Sequence, residues 1–271
     1  MKYYISADIE GVAGTAAWGE TDKTKSEDYD YYRSVMTREV LGVVRGINAV
    51  DEEAEILVKD AHETGRNLLL DEFPGNVRVI RSWAGDPYSM VQGLDETFDG
   101  IFYIGYHSGG TSTGNPLSHT MSTSGITTLK LGGEVISEFE LHSLVSAHYG
   151  VPTLLVSGDE ALMERVKALS PATHRVATKR GEGNSVVTRI PHVVAEEIFT
   201  ATQAAILQMK KDPGPFVMKN PESFHFEVCY SHFTGAYRGK FYPGAYLKDE
   251  MTVALDTEDY FEVLRAVMFL F

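Results

Sequence analysis

The chain has 271 residues, 43% of them hydrophobic, so it can bury a substantial core as one large domain or two smaller ones. Its 24 Lys and Arg against 38 Asp and Glu give a formal charge of −14, which argues against a nucleic-acid or anionic-lipid partner. A single cysteine excludes an intrachain disulfide and a thiolate-rich zinc site, so any metal must be held by His, Asp and Glu.

Apolar segments typical of strands alternate with helical segments along the first part of the chain. Residues 2–7 predict a buried strand, and Asp8 stands where a secretory signal would need apolar residues. No apolar stretch is long enough to cross a bilayer, so the cytoplasm is the expected location. Apolar residues recur at helical spacing from about residue 27 to residue 50. Further strands are predicted at residues 55–59, 76–80, 100–107 and 153–157, and the last is followed by a helix to about residue 169.

The C-terminal part of the chain has a different rhythm of elements. A long helix is predicted at residues 193–209, a strand around Cys229, another strand at 252–255 and a final helix from residue 258, with Asp256 and Thr257 as caps. We therefore expect an α/β fold with a mostly parallel sheet flanked by helices in residues 1–190. Residues 191–271 are expected to form a smaller α+β unit.

Residues that can bind metal follow three of the predicted strands. Asp8 and Glu10 follow the first strand, Asp60 and His62 the second, and His107 the third. Because ligands bind at the carboxyl ends of parallel strands, these side chains are expected to converge. Two histidines with several carboxylates suit Zn²⁺, and less specifically Mn²⁺ or Fe²⁺. Five or more donors can hold two ions, which predicts hydrolysis of an amide, an ester or a phosphoester.

Each of these residues also has a simpler explanation. An aspartate after a strand is commonly a turn residue or a helix cap, and a single histidine there is commonly a hydrogen-bonded loop residue. Lys59 is expected to be an ion-paired surface group, and His142 and His148 are expected on a solvated helix face rather than on a metal. The Gly-rich segment 108–116 is expected to be a mobile surface loop.

The motifs taken together resemble the zinc-dependent D-aminopeptidases of the bacterial dipeptide-transport type. The distinctive opening is Ser-x-Asp-x-Glu-Gly, and the matching segments follow the family's order. They are residues 5–11, 57–62, 90–98, 104–107, 117–121, 133–138 and 149–159. The resemblance implies two zinc ions per subunit and a homodecamer whose active sites face an inner chamber that admits short peptides.

The resemblance also implies roles for individual residues. It places the metal ligands at Asp8, Glu10, His62, His107 and Glu138, the last favoured over Glu134 by its distance from the Tyr-Gly-Val-Pro segment at 149–152. It places the catalytic histidine, proposed as the nucleophile, at His119. Physical chemistry equally allows a water nucleophile, with His119 stabilising the oxyanion. The segment between His107 and His119 is one residue longer than the family pattern, so the preferred substrate side chain stays open.

The leading hypothesis is a metallo-aminopeptidase that releases the N-terminal residue of short peptides, preferably a D-residue. One rival is a zinc amidohydrolase acting on other amides, such as cell-wall fragments, which would use the same ligands. A second rival is a non-catalytic, metal-binding partner of a peptide transporter. A third possibility is that the acids at the strand ends are only caps.

Overall fold

The computed structural model describes residues 1–24 and 28–271, which form two sheets with helices around them. The strands are β1 (Lys2–Ala7), β2 (Glu55–Asp60), β3 (Val77–Ile80), β4 (Gly100–Tyr106), β5 (Ile126–Leu131), β6 (Glu134–Ile136), β7 (Thr153–Asp159), β8 (His174–Glu182), β9 (Ser185–Thr188), β10 (Phe224–Tyr230), β11 (Tyr246–Leu247) and β12 (Thr252–Thr257). The α-helices are α1 (Tyr29–Val50), α2 (Glu138–His148), α3 (Glu160–Leu169), α4 (Pro191–Met209), α5 (Phe233–Gly239) and α6 (Tyr260–Leu270).

The larger sheet has the strand order β3-β2-β1-β4-β7-β8-β9. All its neighbouring strands run parallel except β9, which is antiparallel to β8. Residues of β1 alternate between the two faces: Tyr3 and Ile5 pack with α1 and α4, whereas Tyr4 packs with the opposite layer. The prediction of a mostly parallel sheet flanked by helices is therefore confirmed.

Helices α1 and α4 cover one face of this sheet and approach each other closely. A Cβ atom on Gly42 would lie 2.7 Å from the carbonyl oxygen of Ala195, and one on Gly46 would lie 2.7 Å from Cβ of Thr202. Glycine is required at this crossing because a larger side chain would force the helices apart. The predicted start of the long N-terminal helix, near residue 27, lies outside the described residues.

The second sheet is antiparallel, with the order β11-β12-β10-β5-β6, and it packs with α2 and α6 on the other face of the larger sheet. It takes β5 and β6 from the first half of the chain and the remaining strands from the second half. The division at residue 190 stays a prediction.

Two details of the C-terminal half differ from the sequence expectation. The final helix begins at Tyr260, and its cap is Asp259, whose side chain accepts a hydrogen bond from Phe261 N; the expected caps, Asp256 and Thr257, belong to β12.

Among the helices of the described residues, none has the length and apolar character needed to cross a bilayer.

Candidate metal centre and active site

The first two acids of the site follow β1 and are almost completely buried. Asp8 and Glu10 are each 2% exposed, and Asp8 Oδ2 has no hydrogen-bond partner within the described part of the chain. Directly after them, Gly11 N donates to Gly105 O, and a Cβ atom on Gly11 would lie 1.7 Å from Tyr106 O. The chain can therefore pass this close to the end of β4 only with glycine at this position.

His62 follows β2 and faces both acids. Its Nδ1 lies 3.3 Å from Asp8 Oδ1 and 3.0 Å from Glu10 Oε2, while its Nε2 lies 2.8 Å from the carbonyl oxygen of Thr21. A carbonyl oxygen only accepts hydrogen bonds, so Nε2 carries the proton of a neutral ring. Nδ1 then presents a lone pair to two carboxylates, an arrangement that requires a proton or a metal cation between them.

His107 follows β4, is fully buried and repeats this arrangement. Its Nδ1 lies 3.0 Å from Ser108 O, which leaves Nε2 at 3.6 Å from Asp8 Oδ2 and 3.3 Å from Glu138 Oε2. Nε2 forms no hydrogen bond with any described residue. A buried imidazole nitrogen aimed at two carboxylates, with its other nitrogen on a carbonyl oxygen, has the geometry of a metal ligand.

Glu138 is the first residue of α2, where the helix dipole and the unpaired backbone amides favour a carboxylate. Ser137 and Glu140 form a capping box that fixes this helix end: Ser137 Oγ accepts from Glu140 N, and the Glu140 carboxylate accepts from Ser137 N. Glu138 Oε1 accepts from Met121 N at 2.6 Å. The helix cap therefore holds Glu138 in the site.

His119 lies next to these residues in a stack of aromatic rings. Its ring stacks on His107 with centroids 4.5 Å apart and planes 7° apart, and it meets the Trp18 ring edge-on at 5.2 Å. Its Nδ1 lies 3.0 Å from Leu117 O, and its Nε2 lies 3.6 Å from Glu138 Oε1. The ring is thus fixed in orientation, with Nε2 directed towards Glu138.

The buried groups of the site shift one another's pKa values. Burial and the neighbouring Glu10 raise the pKa of Asp8 to about 8. Burial alone would lower the pKa of His107, but Glu138 and Asp8 outweigh it and raise that pKa to about 10. For Glu138, burial is outweighed by His107 and His119, and the pKa falls to about 2. These pKa shifts have one physical cause: carboxylates are buried together with imidazoles, and their negative charge can be balanced by protons or by metal ions.

The structure brings all six predicted residues to one place. Two groups have donor atoms that lie within 4.8 Å of one another: His107 with Asp8 and Glu10, and His107 with His119 and Glu138. His62 joins the first group through its contacts with both acids. Asp60 lies apart, because its carboxylate accepts hydrogen bonds from Asn67 and Leu68 in the following loop.

Asp8, Glu10, His62, His119 and Glu138 line a cavity of about 380 Å³, a volume within the range of small-ligand sites. Sequence reasoning identifies only part of its walls. Met90 and Met121 lie in the matching segments 90–98 and 117–121, whereas Trp18, Trp83 and Glu63 lie outside the matching segments. Only the fold shows that these three residues meet the others.

Two expectations about surface exposure are wrong, one for His142 and one for Lys59. His142 is fully buried, not solvated, and its Nδ1 hydrogen-bonds the carbonyl oxygen of Glu138 one turn earlier in α2. Lys59 is also fully buried; its Nζ donates to Ser82 O and lies 4.0 Å from the centroid of the Trp83 ring. Their partners are a backbone carbonyl or a ring face, which a charge pattern in the sequence does not reveal.

The Gly-rich segment 108–116 is likewise not a surface loop along its whole length. Ser108 and Asn115 are buried, and both donate to the carboxylate of Asp159, which also caps α3 through Leu162 N. This anchoring positions the chain between His107 and His119.

A family described as D-aminopeptidase matches residues 1–269 of the chain. The chain belongs to the D-aminopeptidase family. The predicted family, the predicted hydrolase activity of a peptidase and the predicted fold are thereby confirmed. This match does not favour the two rival hypotheses, the zinc amidohydrolase acting on other amides and the non-catalytic partner of a peptide transporter.

Two comparisons support the family membership over the whole chain. A D-aminopeptidase of Bacillus subtilis (strain 168) is 29% identical over 272 aligned residues, which cover 99% of this chain and 96% of the relative. The solved structure of the zinc-dependent D-aminopeptidase DppA from Bacillus subtilis, described as a self-compartmentalizing protease, has a TM-score of 0.89 and 26% identity. It matches 100% of this chain and 96% of its own length.

Proposed function

We propose that this protein is a zinc-dependent aminopeptidase that releases the N-terminal residue of short peptides, preferentially a D-residue. The observation that carries the proposal is the convergence of buried carboxylates and imidazoles, from three strand ends and one helix start, on a single cavity. The family membership and the zinc dependence stated for the DppA structure agree with it.

The ligand set proposed for zinc is Asp8, Glu10, His62, His107 and Glu138. It fits the metal because the unpartnered buried atoms Asp8 Oδ2 and His107 Nε2 point into the cluster, and zinc accepts imidazole and carboxylate ligands. Two ions are proposed because the two oxygens of Asp8 face different histidines, Oδ1 towards His62 and Oδ2 towards His107, so this carboxylate could be shared between two ions. Zinc bound there supplies Lewis acidity, which polarises a carbonyl group and makes water a stronger nucleophile at neutral pH.

His119 is the proposed catalytic residue. Amide hydrolysis forms a C–O bond, breaks the C–N bond and delivers a proton to the leaving amine. With Nδ1 on Leu117 O, His119 offers Nε2 at the cavity wall, where it can attack the carbonyl carbon, move the proton or stabilise the oxyanion when protonated. The stacking on His107 and the contact with Trp18 keep that nitrogen in place for each of these roles.

The proposal also covers the oligomeric assembly and the cellular location of the protein. The DppA structure is that of a self-compartmentalizing protease, and we propose a homo-oligomer for this chain, a decamer with its cavities facing an inner chamber. A cytoplasmic location accords with the single cysteine.

The test of this function uses the two enantiomers of alanyl-p-nitroanilide and N-acetylated alanyl anilides. Wild type should hydrolyse the D-anilide faster than the L-anilide and leave the acetylated compounds intact. His119→Ala should lower kcat by at least about 100-fold, the range typical of general acid–base groups, while metal analysis shows unchanged zinc. His192→Ala, which removes an exposed histidine of α4, serves as the matched control.

Two other results would contradict the proposal. Activity confined to the N-acetylated anilides would show that the protein is another amidohydrolase and not an aminopeptidase. Full turnover in His119→Ala would show that His119 is not the catalytic residue.

A further inference from the structure

A second cavity of about 440 Å³ adjoins the catalytic cavity. The two share the side chains of Ser122 and Ser124 as a common wall. Ser231 Oγ donates to Ser124 O at 3.1 Å and so ties this wall to the end of β10. The two cavities are therefore neighbours on either side of Ser122 and Ser124.

The far side of the second cavity is built on a tightly packed aromatic anchor. Tyr230 lines the cavity, its hydroxyl donates to Leu270 O at 2.9 Å, and a Cβ atom on Gly235 would lie 2.4 Å from its ring. Helix α5 is thus pressed against Tyr230, which fixes where the next residues of that helix project.

Arg238 of α5 lines this cavity and is exposed. No carboxylate in residues 1–24 or 28–271 forms an ion pair with it, although the chain has 38 acids against 24 Lys and Arg. His232 and Thr234 line the same cavity and offer further hydrogen-bond donors. Guanidinium and neutral donors together are the usual recognition set for a carboxylate.

Acidic residues beyond the proposed zinc ligands line the catalytic cavity. They are Asp22 and Glu63, whose carboxylates suit the ammonium group of a peptide N-terminus. A short peptide carries an ammonium group at one end and a carboxylate at the other, so its ammonium group suits the acids of one cavity and its carboxylate suits Arg238 of the other.

We propose that the second cavity binds the C-terminal carboxylate of the peptide whose N-terminal residue occupies the catalytic cavity, with Arg238 as its ion-pair partner. This inference rests on the proposed function and narrows its substrate class. The preferred substrates are peptides of a few residues with a free C-terminus, because an extended chain advances only about 3.3–3.6 Å per residue between the two anchors.

The experiment compares peptides D-Ala-(Gly)n of increasing length, each as free acid and as C-terminal amide, with D-alanyl-p-nitroanilide. Wild type should show a lower KM for the free acid than for the amide at one or two adjacent lengths. Arg238→Gln should raise that KM about tenfold, as expected for a lost charge-assisted contact, and leave kcat, the amides and the anilide unchanged. Lys240→Gln is the control: it removes a neighbouring cation that lies over the Tyr237 ring and does not line the cavity.

Wild type with equal KM for acids and amides at every length would overturn the inference without any variant. So would an Arg238→Gln enzyme whose KM rises equally for both forms. Failure of the proposed function is distinguishable, since it would abolish release of alanine from the anilide as well.

Discussion

Three histidines of the site share one hydrogen-bonding arrangement. In His62, His107 and His119, one ring nitrogen lies on a backbone carbonyl oxygen, so the proton of the neutral ring is held there and the other nitrogen faces a buried carboxylate. Second contacts of this kind fix both the tautomer and the ring orientation of metal-binding histidines. The carbonyl oxygens of Thr21, Ser108 and Leu117 therefore determine which nitrogen of each ring is left for chemistry.

Trp18 acts as a positioning residue for His119. Trp18→Ala removes the edge contact with the His119 ring and is expected to lower kcat for D-alanyl-p-nitroanilide by about 10- to 100-fold, since small misplacements of a reacting group have effects of that size. Trp18→Phe should restore most of kcat. Trp83→Ala, which opens the same cavity without a stacking contact to His119, should change KM more than kcat. Equal kcat in wild type and Trp18→Ala would contradict this role.

Glu39 lies outside the proposed set of metal ligands, and its shifted pKa predicts that the stability of the protein depends on pH. Burial raises its pKa from 4.5 to about 8, against the opposing effect of its hydrogen bond from Ala13 N. Between these values the folded chain retains the proton and the unfolded chain releases it, so rising pH favours unfolding in that window. Urea unfolding should show wild type losing stability relative to Glu39→Gln between pH 5 and pH 8. Parallel pH profiles of the two proteins would contradict the assignment.

At the residue scale, sequence motifs predict the site better than they predict its surroundings. Asp8, Glu10 and His62 are identifiable because a period of two and the ends of parallel strands place them together. Asp60 has the same sequence context, yet its carboxylate binds the loop after His62. Trp18 is not identifiable, since the turn that brings it to the site carries no periodic pattern.

At the scale of elements, the close approach of the β1 turn to β4 determines whether the ligands meet. Gly11→Ala should lower the free energy of unfolding by about 3 kcal/mol, because its Cβ would overlap the carbonyl oxygen of Tyr106. The displaced Asp8 and Glu10 should also bind zinc more weakly, as measured by equilibrium dialysis. Gly75→Ala is the control, since its Cβ would meet no atom within 4 Å. Unchanged zinc affinity in Gly11→Ala would contradict this geometry.

The elements that are hardest to predict from the sequence are those stabilised by distant partners. Strands β1, β2, β4 and β7 are apolar enough to be predicted locally, and their observed bounds agree with the sequence to within two residues. Strands β5 and β6 form a sheet only with β10, far along the chain, and are short and mixed in polarity. Their strand state depends on this long-range pairing.

For the whole molecule, the surface around α5 is the clearest candidate for contact between copies. Phe233, Tyr237 and Phe241 are 64%, 57% and 70% exposed, and Phe269 is 64% exposed. Large exposed apolar groups close together mark interaction sites. Phe241→Glu should reduce the molar mass of the assembly in light scattering, whereas Phe241→Tyr should preserve it. An unchanged mass for Phe241→Glu would locate the contacts elsewhere.

The proposed metal centre connects all three scales, since it depends on single residues, on the elements that carry them and on the fold that encloses them. Its most direct test is a zinc titration of chelator-treated protein, followed by release of p-nitroaniline from D-alanyl-p-nitroanilide. Turnover is expected to vanish on chelation, to return with zinc and to level off at two ions per chain. Zinc-free protein that keeps its full turnover would contradict the account.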